Sequence, residues 1–294
     1  MPERIAIGSL EHKELFCREF IDTHDPYDPA KIEWPVLDDA TRNRLSALPF
    51  WGEAVETEHN VANKVQALAP LQPDPLLREA IALQGAEEGR HAALIRTMTT
   101  HYGIAVRPPT LDPIDDAEWA FIRTGYGECF DSFFAFGLFH IARDSGFFPA
   151  GLVKLFEPIV QEEARHILFF VNWVAYRRIQ HPLLQRPRDL WQSALAMAMQ
   201  VWARIQTARG AKGDDFMLEG VESFNFDLSV RGFLELCLRE NDRRLGAYDP
   251  RLLRPRLVPA IARTLSTTLK QSEKLSALWP RKARSGSEKR VSDS

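Results

Sequence analysis

A chain of 294 residues, 45% of them apolar, is long enough for one large helical domain or two small ones and can bury a sizeable core. Its formal net charge of −3 creates no overall field favouring nucleic acid or an anionic membrane. No run approaches the ~18 consecutive apolar residues of a spanning helix. The N-terminus, Met1-Pro2-Glu3-Arg4-Ile5, lacks an apolar signal core, and none of Cys17, Cys129 and Cys237 forms a Cys-x-x-Cys pair. The expectation is a soluble cytoplasmic protein with reduced thiols and no nucleic-acid or membrane partner.

Period-two alternation never persists between turn signals, whereas 3.6-residue periodicity fills most of the chain, so the expected fold class is all-α. An N-terminal extension (1–45) precedes four long helices. The first, Trp51 to Ala69, carries the apolar stripe Trp51, Ala54, Val55, Val61, Ala62, Val65 and Ala69, with Glu58 in its middle. The second, Pro75 to His101, sets Glu88 and His91 on a face with Leu77, Ile81, Gln84, Ala92 and Ile95. In the third, Asp115 to Arg143, Glu128 sits centrally among Phe121, Thr124, Gly125, Ser132, Ala135 and Phe139. The fourth, Ala150 to His181, lines up Leu152, Phe156, Ile159, Val160, Glu163, His166, Phe170 and Val174.

Turn-forming stretches at Pro70 to Pro75, Arg107 to Pro113, Ser145 to Pro149 and Pro182 to Pro187 separate these elements. Arg107-Pro108-Pro109 suits a crossover between two helix pairs. The organisation expected is therefore a four-helix unit (46–182) followed by further helices (183–279). Those helices fall near Leu190 to Arg209, Leu228 to Leu245 and Pro250 to Leu275, with a polar break at Gly210 to Asp215. They would pack on the bundle, cap a pocket or join two copies in a homodimer. Pro280 to Ser294 is polar and basic and reads as a disordered, solvated tail.

Glu-Glu-x-Arg-His occurs twice, as Glu87-Glu88-Gly89-Arg90-His91 and Glu162-Glu163-Ala164-Arg165-His166. A Glu and a His three residues apart share one helix face, so a carboxylate oxygen and an imidazole nitrogen can reach the same cation. Chance placement gives about 0.6 Glu-x-x-His pairs in such a composition, and the chain has three. The third, Glu56 with His59, points about 160° and 100° away from Glu58 and reads as a surface pair. Glu58 itself falls in an apolar stripe, where an ionised carboxylate costs several kcal/mol unless compensated.

The inward set is thus Glu58, Glu88 with His91, Glu128, and Glu163 with His166. Intervals of 30 and 35 residues separate Glu58 from Glu88 and Glu128 from Glu163, as two antiparallel helix pairs require. The competing interpretation, ordinary buried ion pairs with Arg90, Arg165, Arg123 or Arg143, explains single residues but not the duplicated order.

With this pattern the chain resembles the ferritin-like di-iron carboxylate superfamily over about Trp51 to His181. The resemblance implies a four-helix bundle in which Glu58, Glu88, His91, Glu128, Glu163 and His166 ligate two metal ions, with Glu88 and Glu163 bridging. Glu87, Glu162 and Asp131 are candidates to hold metal-bound imidazoles in one tautomer. For Glu87 and Glu162 the alternative is a surface pair with Arg90 and Arg165. Reductase small subunits place a radical-bearing Tyr where this chain has Ile95, rubrerythrins carry a Cys-x-x-Cys module that is missing here, and ferritins rarely append so much sequence.

A carboxylate-rich donor set suits iron or manganese, as Fe/Fe or Mn/Fe, better than zinc or copper. The function implied is an O2-dependent non-haem oxidase or oxygenase that takes a small apolar or aromatic organic substrate and an external electron donor. Gly125, Ser132, Ala135 and Phe139 would leave and wall a substrate chamber, unless they merely pack a helix buried all round. The alternatives are an iron-sequestering or peroxide-scavenging protein without organic substrate, and a helical scaffold with a degenerate site.

Overall fold

A computed structural model describes residues 5–208 and 229–278; the polar break near 210–215 and the tail at 280–294 lie outside the described residues. Among those described, the chain forms nine α-helices and no strand. Two short helices come first, α1 (Leu10–Asp22) and α2 (Asp39–Ser46), each started by a side-chain cap. Ser9 accepts from His12 N and Asp38 from Thr41 N.

The four long helices follow: α3 (Trp51–Leu68), α4 (Pro75–His101), α5 (Ala117–Asp144) and α6 (Ala150–Gln180). Asp74 caps α4 with Pro75 at its first position, and Asp116 caps α5. Gly103 and Gly146, with φ of +71° and +69°, take left-handed backbone just past α4 and α5, where a side chain would be strained. The remaining helices are α7 (Arg186–Ala208), α8 (Val230–Leu245) and α9 (Leu257–Leu278).

Short turns make α3 antiparallel to α4 and α5 antiparallel to α6. The connection 102–116 behaves differently because α3 holds it along its length. Asn60 Nδ2 donates to Thr110 O (2.9 Å), Asp112 N donates to Asn60 Oδ1 (2.7 Å), and Lys64 Nζ pairs with Asp112 at 2.6 Å. The chain thereby returns to the end at which α4 began, and α5 runs parallel to α4 while packing against α3.

Two apolar clusters occupy the two ends of this four-helix unit. One joins Val65, Leu68, Ile81, Phe121, Phe169, Phe170 and Trp173; the other joins Trp51, Val55, Ile95, Met98, Tyr102 and Leu152. The Glu and His residues of the repeated motif lie in the layer between them. A third cluster, including Phe130, Phe133, Leu234, Cys237, Val258 and Ala262, seats α8 and α9 on the outside of α5.

Helix α1 is integral to this core, for it lies on α4 and α6 and contributes Phe16, Cys17 and Phe20 to the first cluster. Its anchor is Asn172, wholly buried on α6. His12 Nε2 donates to Asn172 Oδ1 (2.9 Å), because its Nδ1 accepts from Gly8 N (3.2 Å). Burial outweighs the Asn172 bond and lowers the His12 pKa, which keeps the ring neutral. Asn172 also accepts from Leu253 N (2.9 Å) and donates to Leu253 O (3.0 Å), so one side chain ties α1, α6 and the segment entering α9.

Helix α5 is buried on nearly every side. A Cβ on Gly125 would lie 2.2 Å from the Phe170 ring, and one on Gly137 would lie 2.5 Å from Cys237 Sγ. On α7, by contrast, Leu190, Trp191, Leu195, Met199 and Trp202 form an exposed apolar row.

Replacing Asn172 strands several buried polar groups at once. Asn172→Ala is expected to cost about 2–3 kcal/mol, read as a lower urea midpoint at unchanged slope.

Candidate metal centre

The two Glu-Glu-x-Arg-His segments lie in α4 and α6, facing each other, and each grips the other. His91 Nε2 donates to Glu162 Oε2 (2.8 Å), and His166 Nε2 donates to Glu87 Oε2 (2.8 Å). The arginines cross over as well. Arg90 NH2 donates to Glu162 Oε1 (2.6 Å), while Arg165 pairs with Glu87 and donates to Phe20 O (2.8 Å). Glu87 and Glu162 are therefore not surface partners within their own helices; they are 1% and 5% exposed and orient the imidazole of the opposite helix.

Committing each Nε2–H to a carboxylate turns each Nδ1 inward. There His91 Nδ1 lies 3.1 Å from Glu163, 3.6 Å from Glu58 and 3.7 Å from Glu88. His166 Nδ1 lies 2.8 Å from Glu88 and 3.8 Å from Glu163. Glu88 and Glu163 thus approach both imidazoles, and the two rings stand 5.6 Å apart, nearly parallel. Donor atoms of Glu58, Glu88, His91 and Glu163 all fall within 4.8 Å of one another.

These close approaches lack hydrogen-bonding geometry. Glu88 Oε1, Glu163 Oε1, both oxygens of Glu128 and both Nδ1 atoms are buried without a hydrogen-bond partner. Buried polar atoms are nearly always satisfied, so six orphaned donor atoms on three helices are an exception that a shared cation resolves. The donor set fits: hard carboxylate oxygens and two neutral imidazole nitrogens, with the combined charge of Glu58, Glu88, Glu128 and Glu163 equal to that of two divalent cations. The side chains of Glu58 and Glu163 keep 22% and 19% of their surface free, so solvent-sized space adjoins them, whereas Glu88 and both histidines are sealed.

Electrostatics agree with this geometry. Burial pushes Glu58 up to about 8, despite His91 beside it, and pushes Glu128, among Glu88 and Glu163, well above the carboxylate range. Burial also opposes ionisation of Glu88 and Glu87, but neighbouring His166 overrides it in both. Glu88 falls well below its ordinary value and Glu87 falls to about 2, helped by Arg165 and His24. Both histidines, against the effect of burial, are raised by the surrounding carboxylates. A cation bound in this layer would displace the protons that the raised carboxyls favour.

Five of the sequence-based assignments, Asp131 and the four proposed chamber residues, require correction. Asp131 is exposed on the outer side of α5 and pairs with Arg204 of α7, since one turn past Glu128 the helix has rotated it away from both histidines. Gly125 leaves no chamber, because the Phe170 ring fills the space a side chain would take. Phe139 packs under the Arg244 guanidinium, and neither Ser132 nor Ala135 lines the cavity found beside this site. Glu56 and His59 stand outside the centre, on Thr110 N and Arg96.

Sequence reasoning missed three contributors from the segment after α1 and its end. His24 pairs with Glu87, the Phe20 ring lies against Arg165 and His166, and Tyr27 lies under Arg90 at 4.1 Å. No motif marks them; only the docking of α1 brings them in.

Comparison of the chain with protein-family models, with curated proteins and with solved structures gives no match.

The pKa shifts have a definite sign. A carboxyl raised in the folded state, as Glu58 is from an ordinary value near 4.5 to about 8, stabilises below 4.5 and loses that contribution as pH rises through 8. The thermal midpoint of metal-free protein should therefore fall between pH 5 and 8, and the gain on adding Mn2+ should be largest at pH 8. A gain independent of pH would contradict this. Glu162→Ala is expected to weaken metal binding by about 10–100-fold at unchanged stoichiometry, measured by competition with a chelating dye.

Proposed function

We propose that this chain is a ferritin-like di-metal carboxylate protein acting as an O2-dependent oxidase or oxygenase on a small organic substrate. The observation that carries the reading is the crossed pair of Glu-Glu-x-Arg-His segments, with their orphaned donor atoms converging between two apolar clusters. Glu58 and His91 would hold one ion, Glu128 and His166 the other, and Glu88 and Glu163, which approach both imidazoles, would bridge them. Two iron ions, or manganese with iron, would supply the electrons for O2 reduction, with an external donor restoring them.

The chain's own residues have separable tasks. Glu87 and Glu162 take the Nε2 protons, so the Nδ1 lone pairs are presented inward and the rings cannot turn. Arg165 and Arg90 balance those two carboxylates and keep the charge of the outer pair apart from that of the inner four. The two apolar clusters exclude bulk water along the bundle axis, which strengthens each electrostatic contact within the layer. Free surface on Glu58 and Glu163 supports entry of a small molecule at that edge.

Elemental analysis of the purified protein tests the reading, together with Glu88→Ala and His166→Ala variants reconstituted anaerobically with ferrous iron. About two metal ions per chain in the parent, a clear loss in both variants, and O2 uptake by the ferrous parent alone are expected. Absence of bound metal from every sample would refute it.

A further inference from the structure

Beside the metal centre, α5, α6, α7 and the segment entering α9 enclose a cavity of about 320 Å3. Its floor and walls are Tyr126, Cys129, Phe130, Phe170, Val174 and Met197, and among the described residues no acidic one lines it. Phe170 follows His166 by four residues, about 6 Å along α6, and Cys129 is the neighbour of Glu128. The Phe170 ring is seated on Gly125 and lines this cavity.

The mouth has the opposite character. Arg254 is half-buried and Arg256 exposed, both line the cavity, and among the described residues neither guanidinium makes a hydrogen bond or an ion pair. Most other arginines near the core have partners: Arg90, Arg165, Arg177, Arg204 and Arg244 each face a carboxylate. A half-buried guanidinium without a partner, on the rim of an apolar cavity, asks for an anion from outside. Leu257 and Val258, the first residues of α9, line the same rim, where the helix turns its unpaired amides and positive end.

The placement of Arg254 is built into the fold. Asn172 binds both the N–H and the C=O of Leu253, the preceding residue, from the buried face of α6. Two of the four helices that carry the inward donor set, α5 and α6, thus frame the cavity, and α6, which carries His166, also positions its cationic mouth.

We propose that this cavity receives the organic substrate and that the substrate is an amphipathic monocarboxylate. Its carboxylate meets Arg254 and Arg256, and its apolar body extends to Phe170. The planar fork of arginine suits a carboxylate, and a lining otherwise apolar suits an unbranched or aryl chain. The volume is at the low end of ligand pockets, about 300–1,000 Å3, and about twice that of a cavity known to hold one benzene. A body of about ten carbons is in proportion to it. The role as substrate rests on the oxidase reading above; carboxylate binding itself does not.

Calorimetric titration of the full-length, metal-free protein with decanoate and with decan-1-ol tests the site. Decanoate is expected to bind at least ten-fold more tightly than the alcohol. Arg254→Gln should remove most of that difference while metal stoichiometry stays at the parent value. Val174→Trp, which fills the cavity without touching the arginines, should weaken both ligands. Equal binding of acid and alcohol, no binding of decanoate to the parent, or decanoate binding unchanged in Arg254→Gln would overturn the proposal. Failure here with two metals still bound would leave the di-metal reading intact, and decanoate binding to a parent that takes up no metal would refute that reading alone.

Discussion

Four carboxylates and two imidazoles share one layer between two apolar clusters, and the cost of burying that charge governs the rest of the structure. An isolated carboxylate moved from water into such surroundings would neutralise itself, and Glu58 and Glu128 are pushed in that direction. The chain compensates charge in two concentric ways. Outside, Glu87 and Glu162 are fully matched by arginine and histidine N–H groups. Inside, six donor atoms of Glu88, His91, Glu128, Glu163 and His166 have been left without hydrogen-bond partners. Satisfying the outer ring and not the inner one is what separates a cation site from a buried salt-bridge network.

The crossed arrangement explains why the five-residue segment recurs intact. Within each copy, one Glu and the His look inward, while the other Glu and the Arg reach across to the partner helix. Neither copy is complete alone, since the tautomer of each imidazole depends on a carboxylate from the other helix. Stability and metal affinity are therefore linked. Cations that bind only the folded layer would raise the stability of the entire helical unit, most of all where protons no longer neutralise it.

Helix α1 and the segment preceding α9 have a similar relation to the layer. Phe20 and His24 buttress the Arg165 and Glu87 side of it, and Asn172 joins α1 to Leu253 in the wall of the cavity. What lies outside the four long helices is thus a support for the centre and a frame for the apolar cavity beside it.

Helix type, the starts of α4 and α6, and the inward set of Glu58, Glu88, His91, Glu128, Glu163 and His166 were legible in the sequence, because 3.6-residue periodicity and i,i+3 spacing are local geometry. Local geometry also accounts for the misreading of Asp131. Glu87 and Asp131 were both candidates to orient a histidine, yet only Glu87 is sealed against His166, while Asp131 reaches Arg204 in solvent. Which flank of a helix meets a neighbour depends on interhelical packing, which no single helix encodes. The small residues of α5 likewise indicate close approach, but only the assembled structure identifies what approaches: Phe170 at Gly125 and Cys237 at Gly137. The caps of α1 and α2, Ser9 and Asp38, are local signals, whereas the roles of His24, Asn172 and Arg254 are not. Their partners lie 63 to 160 residues away or, for Arg254, among no described residue, and such contacts exist only after the chain has folded.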